Sequence, residues 1–227
     1  MPDWKPHVVT VEGRFVNASN ATLLGTTDSG ERVVYKPVAG ERPLWDFESE
    51  TLAVREVLTF EVDLCLGFGL VPETALGDGL YGPGSIQRYV DIDEAFDPYE
   101  LVRQDDAALW PIAVLDVITN NADRKLGHIL RSGSGSLVAI DHGLTFHPED
   151  KLRTVLWGFA GSPAPAPVVE AVARLRDGLN GELGRRVERL LGRRTSRRLV
   201  QRTEAFLMRP VHPQPPEDRP ALPWPPY

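Results

Sequence analysis

The chain has 227 residues, 42% of them hydrophobic and 25% charged, enough for one large domain or two small lobes with a sizeable core. A net charge of −7 speaks against a general nucleic-acid binder, and no apolar run approaches the ~18 to 20 residues that span a bilayer. A single cysteine, Cys65, excludes an internal disulfide framework and a cysteine-rich zinc site and fits a reducing cytosol, so a cytoplasmic protein without a signal peptide or integral membrane segment is expected.

From His7 to Val90 the pattern is mainly that of strands. Val8 to Val16, Ala21 to Thr26 and Arg32 to Lys36 are rich in β-branched residues, and the turn Asp28-Ser29-Gly30 between the last two predicts an antiparallel meander. After a loop with Pro37, Gly40 and Pro43, apolar residues at 54, 57, 58, 62 and 65 predict a helix over Leu52 to Cys65 that ends near Gly67. Leu70 to Ala75 and Ser85 to Val90 are short strand candidates around a Gly/Pro-rich turn from Gly77 to Gly84. Residues 1–90 thus read as a first, N-terminal lobe, a small sheet with one helix, expected to bind nucleotide.

Past the acidic stretch Asp91 to Asp106 the pattern turns helical, over Ala107 to Thr119, Val168 to Arg176, Gly181 to Leu191 and Thr195 to Met208, and this gives a second lobe over 91–209. Residues 174–209 hold eleven arginines against four acids, beside a helical apolar stripe at Leu175, Leu179, Leu183, Val187 and Leu190. Such arginines form a solvated face or a dock for an anionic partner. The last 18 residues, Pro210 to Tyr227, hold eight of the twenty prolines and predict an extended tail, neither helix nor interior strand.

The chemistry concentrates between Asp116 and Gly143. A helix feeds the polar loop Asn120-Asn121-Ala122-Asp123-Arg124-Lys125, a short hairpin follows, and its apolar second strand, Leu137 to Ile140, delivers Asp141 to a glycine turn. Asp123, Asp141 and His128 can thereby meet at one point, and hard carboxylate oxygens with one further ligand suit Mg²⁺ or Mn²⁺. The offsets also match phosphoryl-transfer sites of the protein-kinase type, which place an acceptor-orienting Asp, a Lys two residues on and a metal ligand five residues on. Here these are Asp123, Lys125 and His128, with Asp141-His142-Gly143 in the place of the metal-binding Asp-Phe-Gly turn. Upstream, Lys36 at the end of a strand and Glu56 on the helix supply the phosphate-binding lysine and its acid in the expected order; Glu50 and Glu61 are alternative acids.

In these features the chain resembles the phosphatidylinositol 3- and 4-kinase-like family of the protein-kinase-like fold, most of all its small bacterial branch and the type II phosphatidylinositol 4-kinases. The matching text is Tyr35-Lys36-Pro37, Arg55-Glu56-Val57, Leu66-Gly67-Phe68-Gly69-Leu70-Val71-Pro72, Asn121-Ala122-Asp123-Arg124 and Ile140-Asp141-His142-Gly143, within roughly residues 8–160. The resemblance implies an α+β, two-lobed protein-kinase-like fold with an antiparallel-sheet first lobe and a mainly helical second. It implies an ATP- and divalent-metal-dependent phosphotransferase with a hydroxyl acceptor. Lys36 would meet the phosphates, Asp123 would be the catalytic aspartate, Lys125 would steady the phosphoryl group, His128 and Asp141 would hold Mg²⁺ or Mn²⁺, and Gln87 to Val90, Tyr89 included, would form the hinge under the adenine.

The chain departs from that family in two places. No glycine-rich loop joins the first two strands, which leaves Ser19 and Asn20 to meet the phosphates, and His128 stands where Asn is usual. These departures motivate a nucleotide-binding pseudokinase or interaction module as the alternative. His128, His142 and His147, three of only five histidines, motivate a metal-dependent hydrolase as a third reading.

Overall fold

The computed structural model describes residues 4–15 and 20–227. Five strands close into a barrel in the order β1-β2-β3-β5-β4, where β1 is His7–Arg14, β2 Leu23–Thr27, β3 Arg32–Pro37, β4 Thr74–Gly79 and β5 Gly82–Arg88. Neighbours pair antiparallel, and the parallel contact of β1 with β4 through His7↔Asp78 and Val8↔Gly79 closes the ring. Strand alternation explains the interior: Val33 and Tyr35 of β3 join Val8, Leu23 and Ile86 in the barrel core. Lys36, one position on, therefore faces the opposite way.

The glycines of 77–84, which read as a broad turn, lie instead in the paired strands β4 and β5. A Cβ on Gly77 would stand 2.3 Å from the Pro6 carbonyl oxygen, and one on Gly84 would stand 2.4 Å from that of Lys36. A small closed barrel brings backbones that close, so these glycines mark close approach, and the reversal itself is the short turn before Gly82, at φ 87°. β4 correspondingly starts at Thr74, not Leu70, because the Leu70 and Val71 N–H groups donate to the Asp63 carboxylate.

Helix α1, Leu52–Leu66, bridges the barrel to the helical remainder and ends on Gly67 in the left-handed region at φ 75°. The helical remainder comprises α2 (Pro98–Arg103), α3 (Trp110–Thr119), α4 (Ala166–Leu179) and α5 (Glu182–Met208). Leu58 and Leu66 of α1, Ile112, Leu115 and Ile118 of α3, Leu175 of α4 and Val187 and Leu199 of α5 share one buried core. α5 contains the two helices expected over 181–191 and 195–208, broken at Gly192 (φ 82°, ψ 162°). α2 lies inside the acidic stretch, where Asp97 caps the Tyr99 N–H and Pro98 occupies the first turn.

The proline-rich tail is extended and lies against the helical body. Proline lacks an N–H but keeps its carbonyl, so the tail offers mostly acceptors. Pro210 accepts from the Ala164 N–H, Ala221 from the Thr154 N–H and the Trp157 indole, and Pro226 from the Leu126 N–H. Among the described residues no helix is long and apolar enough to cross a membrane.

Candidate active site

The loop after α3 is held from both sides. Asn120 ends the helix in the left-handed region at φ 56°, its side-chain amide donating to the carbonyls of His147 and Glu149 while its oxygen accepts the Lys151 N–H. Asn121 donates to Asp116 and accepts the Asp123 N–H at 3.0 Å, which fixes the direction of Asp123. The hairpin β6 (Ile129–Arg131) and β7 (Leu137–Ala139) then brings Asp141 back beside this loop, at φ 61°. Asp and Asn tolerate that conformation better than other side chains with a Cβ.

Asp141, Asp123, Lys36, Glu56 and Asn20 line one cavity of about 310 Å³ between the barrel and the helical body. Lys36 Nζ bonds Glu56 Oε1 and lies 3.0 Å from Asp141 Oδ1, and the second Glu56 oxygen accepts the His142 N–H. Glu61 instead pairs with Arg186 at 2.7 Å, and Glu50 precedes α1, so Glu56 is the acid on Lys36. Burial by itself would lower the Lys36 pKa, but the Asp141 and Glu56 carboxylates outweigh it and hold the amine above its ordinary value. Enclosure would raise Asp141, yet Lys36 first and His128 next hold it well below the usual carboxylate range. Asp123 goes the other way: its burial raises it, with Lys125 Nζ at 3.2 Å from Oδ2 opposing.

His128 Nε2 stands 3.3 Å from Asp141 Oδ2, and burial lowers the imidazole pKa to about 4, so the ring is neutral near pH 7. Its buried Nδ1 has no hydrogen-bond partner among the described residues. Whichever nitrogen carries the one proton, a lone pair or an N–H is left over, and the tautomer protonated at Nδ1 turns a bare Nε2 lone pair toward the carboxylate. A cation between Nε2 and Oδ2 suits that pair. Among the described residues no cluster of three His, Cys, Asp or Glu could hold a metal, so the pair fits an ion that takes its remaining ligands from phosphate and water, as Mg²⁺ commonly does.

The other two central histidines serve elsewhere. His142 is fully buried and accepts from Arg124, while His147 donates to the Asp46 carbonyl and stacks edge-on with Phe47. The three do not converge as a hydrolase centre would need. Asn20 lines the cavity and accepts the Arg42 N–H; Ser19 lies outside the described residues. Gln87 turns its amide to Thr74 at 2.9 Å, and Tyr89 lies under the Arg32 guanidinium, so neither side chain lines the cavity.

Residues without an assigned role in the sequence reading complete the site. Arg124 is fully buried and donates to Asp116, to the carbonyls of His128 and Ile140 and to His142 Nε2, tying the Asp123 loop to the Asp141 turn. Asp116 is the one charge in the apolar helix α3, a pattern that signals a buried partner. Glu41 also lines the cavity and accepts the Ala53 N–H in the first turn of α1, where the N-cap Thr51 side chain makes no capping bond.

This architecture is protein-kinase-like. The Helicobacter pylori proinflammatory kinase CtkA superposes with a TM-score of 0.56 at 11% identity, covering 86% of this chain and 89% of that one. The golgi casein kinase gives 0.54 at 13%, covering 89% and 70%. No family model matches the chain. The chain belongs to the same family as Mycobacterium tuberculosis protein Rv2133c, to which it is 40% identical over 257 aligned residues, spanning 96% of this chain and 92% of that protein.

Proposed function

We propose that the chain is an ATP- and divalent-metal-dependent phosphotransferase of the phosphatidylinositol 3-/4-kinase-like type that moves a γ-phosphate to a hydroxyl acceptor. The observation that carries this is the convergence of Lys36, Glu56, Asp123 and Asp141 on one cavity, from four separate segments in the order such a site requires. The kinase folds of CtkA and the golgi casein kinase support it. Residues 1–90 act as the nucleotide lobe, 91–209 as the catalytic lobe and 210–227 as a tail, with the backbone from Gln87 to Val90, Tyr89 included, as the hinge under the adenine.

In this reading Lys36, kept charged and held by Glu56, binds the phosphates together with Asn20 and Ser19. Asp123 orients the acceptor hydroxyl and takes its proton as the acceptor oxygen bonds to phosphorus and the bond to the ADP oxygen breaks. Lys125 balances charge on the transferred group. His128 and Asp141 hold Mg²⁺ or Mn²⁺, which when bound neutralises phosphate oxygens. The test is release of ADP from ATP in the presence of candidate lipid, protein and small-molecule acceptors with each metal, alongside Lys36→Met and Asp123→Ala. Full turnover in either variant overturns the mechanism. Metal-dependent binding of a non-hydrolysable ATP analogue without turnover, and activity appearing in His128→Asn, is the outcome for a pseudokinase, which the imidazole at 128 favours.

A further inference from the structure

A second cavity, of about 550 Å³, lies between the end of α3, the last turns of α5 and the tail, and shares no lining residue with the cleft around Lys36. Its size is within the range of small-molecule sites and far beyond that of a bare oxyanion. Its charge is one-sided. Arg202, Arg209 and Arg219 line it against a single acid, Asp150, whose carboxylate already lies 3.3 Å from Arg198. Among the described residues the Arg209 side chain has no hydrogen-bond or ion-pair partner, while Arg219 donates to the Leu152 carbonyl at 3.1 Å.

Two buried polar atoms in this wall are unpartnered among the described residues, Arg202 Nη2 and His212 Nε2. Arg202 uses Nε on the Ile118 carbonyl and Nη1 on that of His147, so one donor edge remains. Burial lowers its pKa to about 10, which leaves it charged near neutral pH. His212 is 1% exposed and its Nδ1 lies 3.1 Å from the Pro213 carbonyl, which can only accept. Nδ1 therefore carries the proton, and Nε2 is an acceptor that lacks a donor. Apart from Asn120 and Gln214 the remaining wall is mainly apolar and aromatic, with Val117, Leu152, Trp157 and Phe206.

We propose that this cavity binds a small organic phosphate, its phosphoryl group on Arg202, Arg209 and Arg219 and its apolar or aromatic body against Trp157 and Phe206. A carboxylate shares the anion chemistry but brings half the charge to three guanidinium groups. The site has a direct mechanical link to the candidate active site. Arg202 and Asn120, both in its wall, bond the same His147 carbonyl, and Asn120 leads into the loop that carries Asp123. Anchoring Arg202 by a ligand steadies the 147–151 segment and, through Asn120, that loop.

Phenyl phosphate is the probe, with phenol, benzoate and inorganic phosphate as controls, on the full chain and on Lys36→Met, which disables the cleft for phosphate. In both, melting temperature should rise by about 5–10 °C at a hundredfold excess over Kd. Amide exchange should slow at 118–123 and 147–151. Arg209→Ala, at an exposed side chain, and Ala205→Trp, which plugs the cavity without changing charge, should each abolish the response. A response lost in Lys36→Met but kept in Arg209→Ala would mean that the cleft is the only anion site and would overturn the proposal. So would no response in the wild type, or equal stabilisation by benzoate or inorganic phosphate. Binding without slower exchange at 147–151 would overturn the link to the loop. Because the Lys36→Met arm needs no ATP chemistry, this result is independent of the phosphotransferase reading.

Discussion

Replacing Asp116 by Asn tests the buried ion pair on which the site rests. Arg124 and Asp116 are both 0% exposed, with Arg124 Nη2 at 2.9 Å from Oδ1 and Nε at 3.0 and 3.1 Å from the two carboxylate oxygens. Removing one member of such a pair leaves an uncompensated buried charge, at a cost of about 3–5 kcal/mol. For a chain of this size that is a fall in melting temperature of about 6–20 °C. The double variant Asp116→Leu/Arg124→Met removes both charges and should recover most of that loss, since an apolar pair of similar volume replaces a buried ion pair at little or no cost. Its phosphotransfer should still fall by about 10²-fold, because the His128 and Ile140 carbonyls lose the donor that holds the Asp123 loop against the Asp141 turn. Calorimetry and ADP release measure the two effects separately. A single variant melting within about 2 °C of wild type, or a double variant with full turnover, would refute the reasoning.

Lys36→Met and Asp123→Ala should each remove ADP release while the circular dichroism of the folded chain is kept, because both side chains line the cavity and not the apolar core. Asp63 supplies a pH test. Burial raises its carboxyl pKa from 3.8 to about 6, against the opposing N–H groups of Val71 and Leu70. Between those values the native chain holds a proton that the unfolded chain has lost, so this group costs stability as pH rises and the full cost is present above pH 6. Asp63→Asn should therefore stabilise by up to about 3 kcal/mol at pH 8 and about half that at pH 5 in urea denaturation; an equal gain at both would show that charge is not the cause. Gly77→Ala should cost about 1–3 kcal/mol, since its Cβ would sit 2.3 Å from the Pro6 oxygen, and a urea midpoint unchanged from wild type would show that the barrel relaxes around it.

The parts of this molecule that sequence reading reached are those whose causes are local. The apolar spacing of α1 and its stop at Gly67 are set within one helix, and the hairpin that returns Asp141 is set by a turn and two short apolar runs. The order Lys36, Glu56, Asp123, Asp141 can be read along the chain, whereas their meeting on one cavity depends on four segments packing together. What stayed hidden depends on partners far along the chain. The glycines of β4 and β5 look like turn residues until the barrel closes over Pro6 and Lys36. The tail looks free until Leu126 and Thr154 donate to it, and Gln87 looks available to a nucleotide until Thr74 takes its amide.

Asn120 and Asp141 show how the two kinds of cause combine at the site. Each sits at positive φ, which costs a side chain with a Cβ about 1–2 kcal/mol and is tolerated best by Asn and Asp. Local chemistry thus permits those residues there, but it does not hold them there. Asn120 is held by the His147, Glu149 and Lys151 backbone. The Asp141 turn is held on one side by Arg124 on the Ile140 carbonyl and on the other by Glu56 on the His142 N–H. Strain of this kind persists only where distant contacts over-determine the conformation. Glu56 is thus fixed to both Lys36 and the Asp141 turn, so a change at Glu56 moves Lys36 and Asp141 together, whereas a change at Lys36 leaves the backbone bonds of the turn in place.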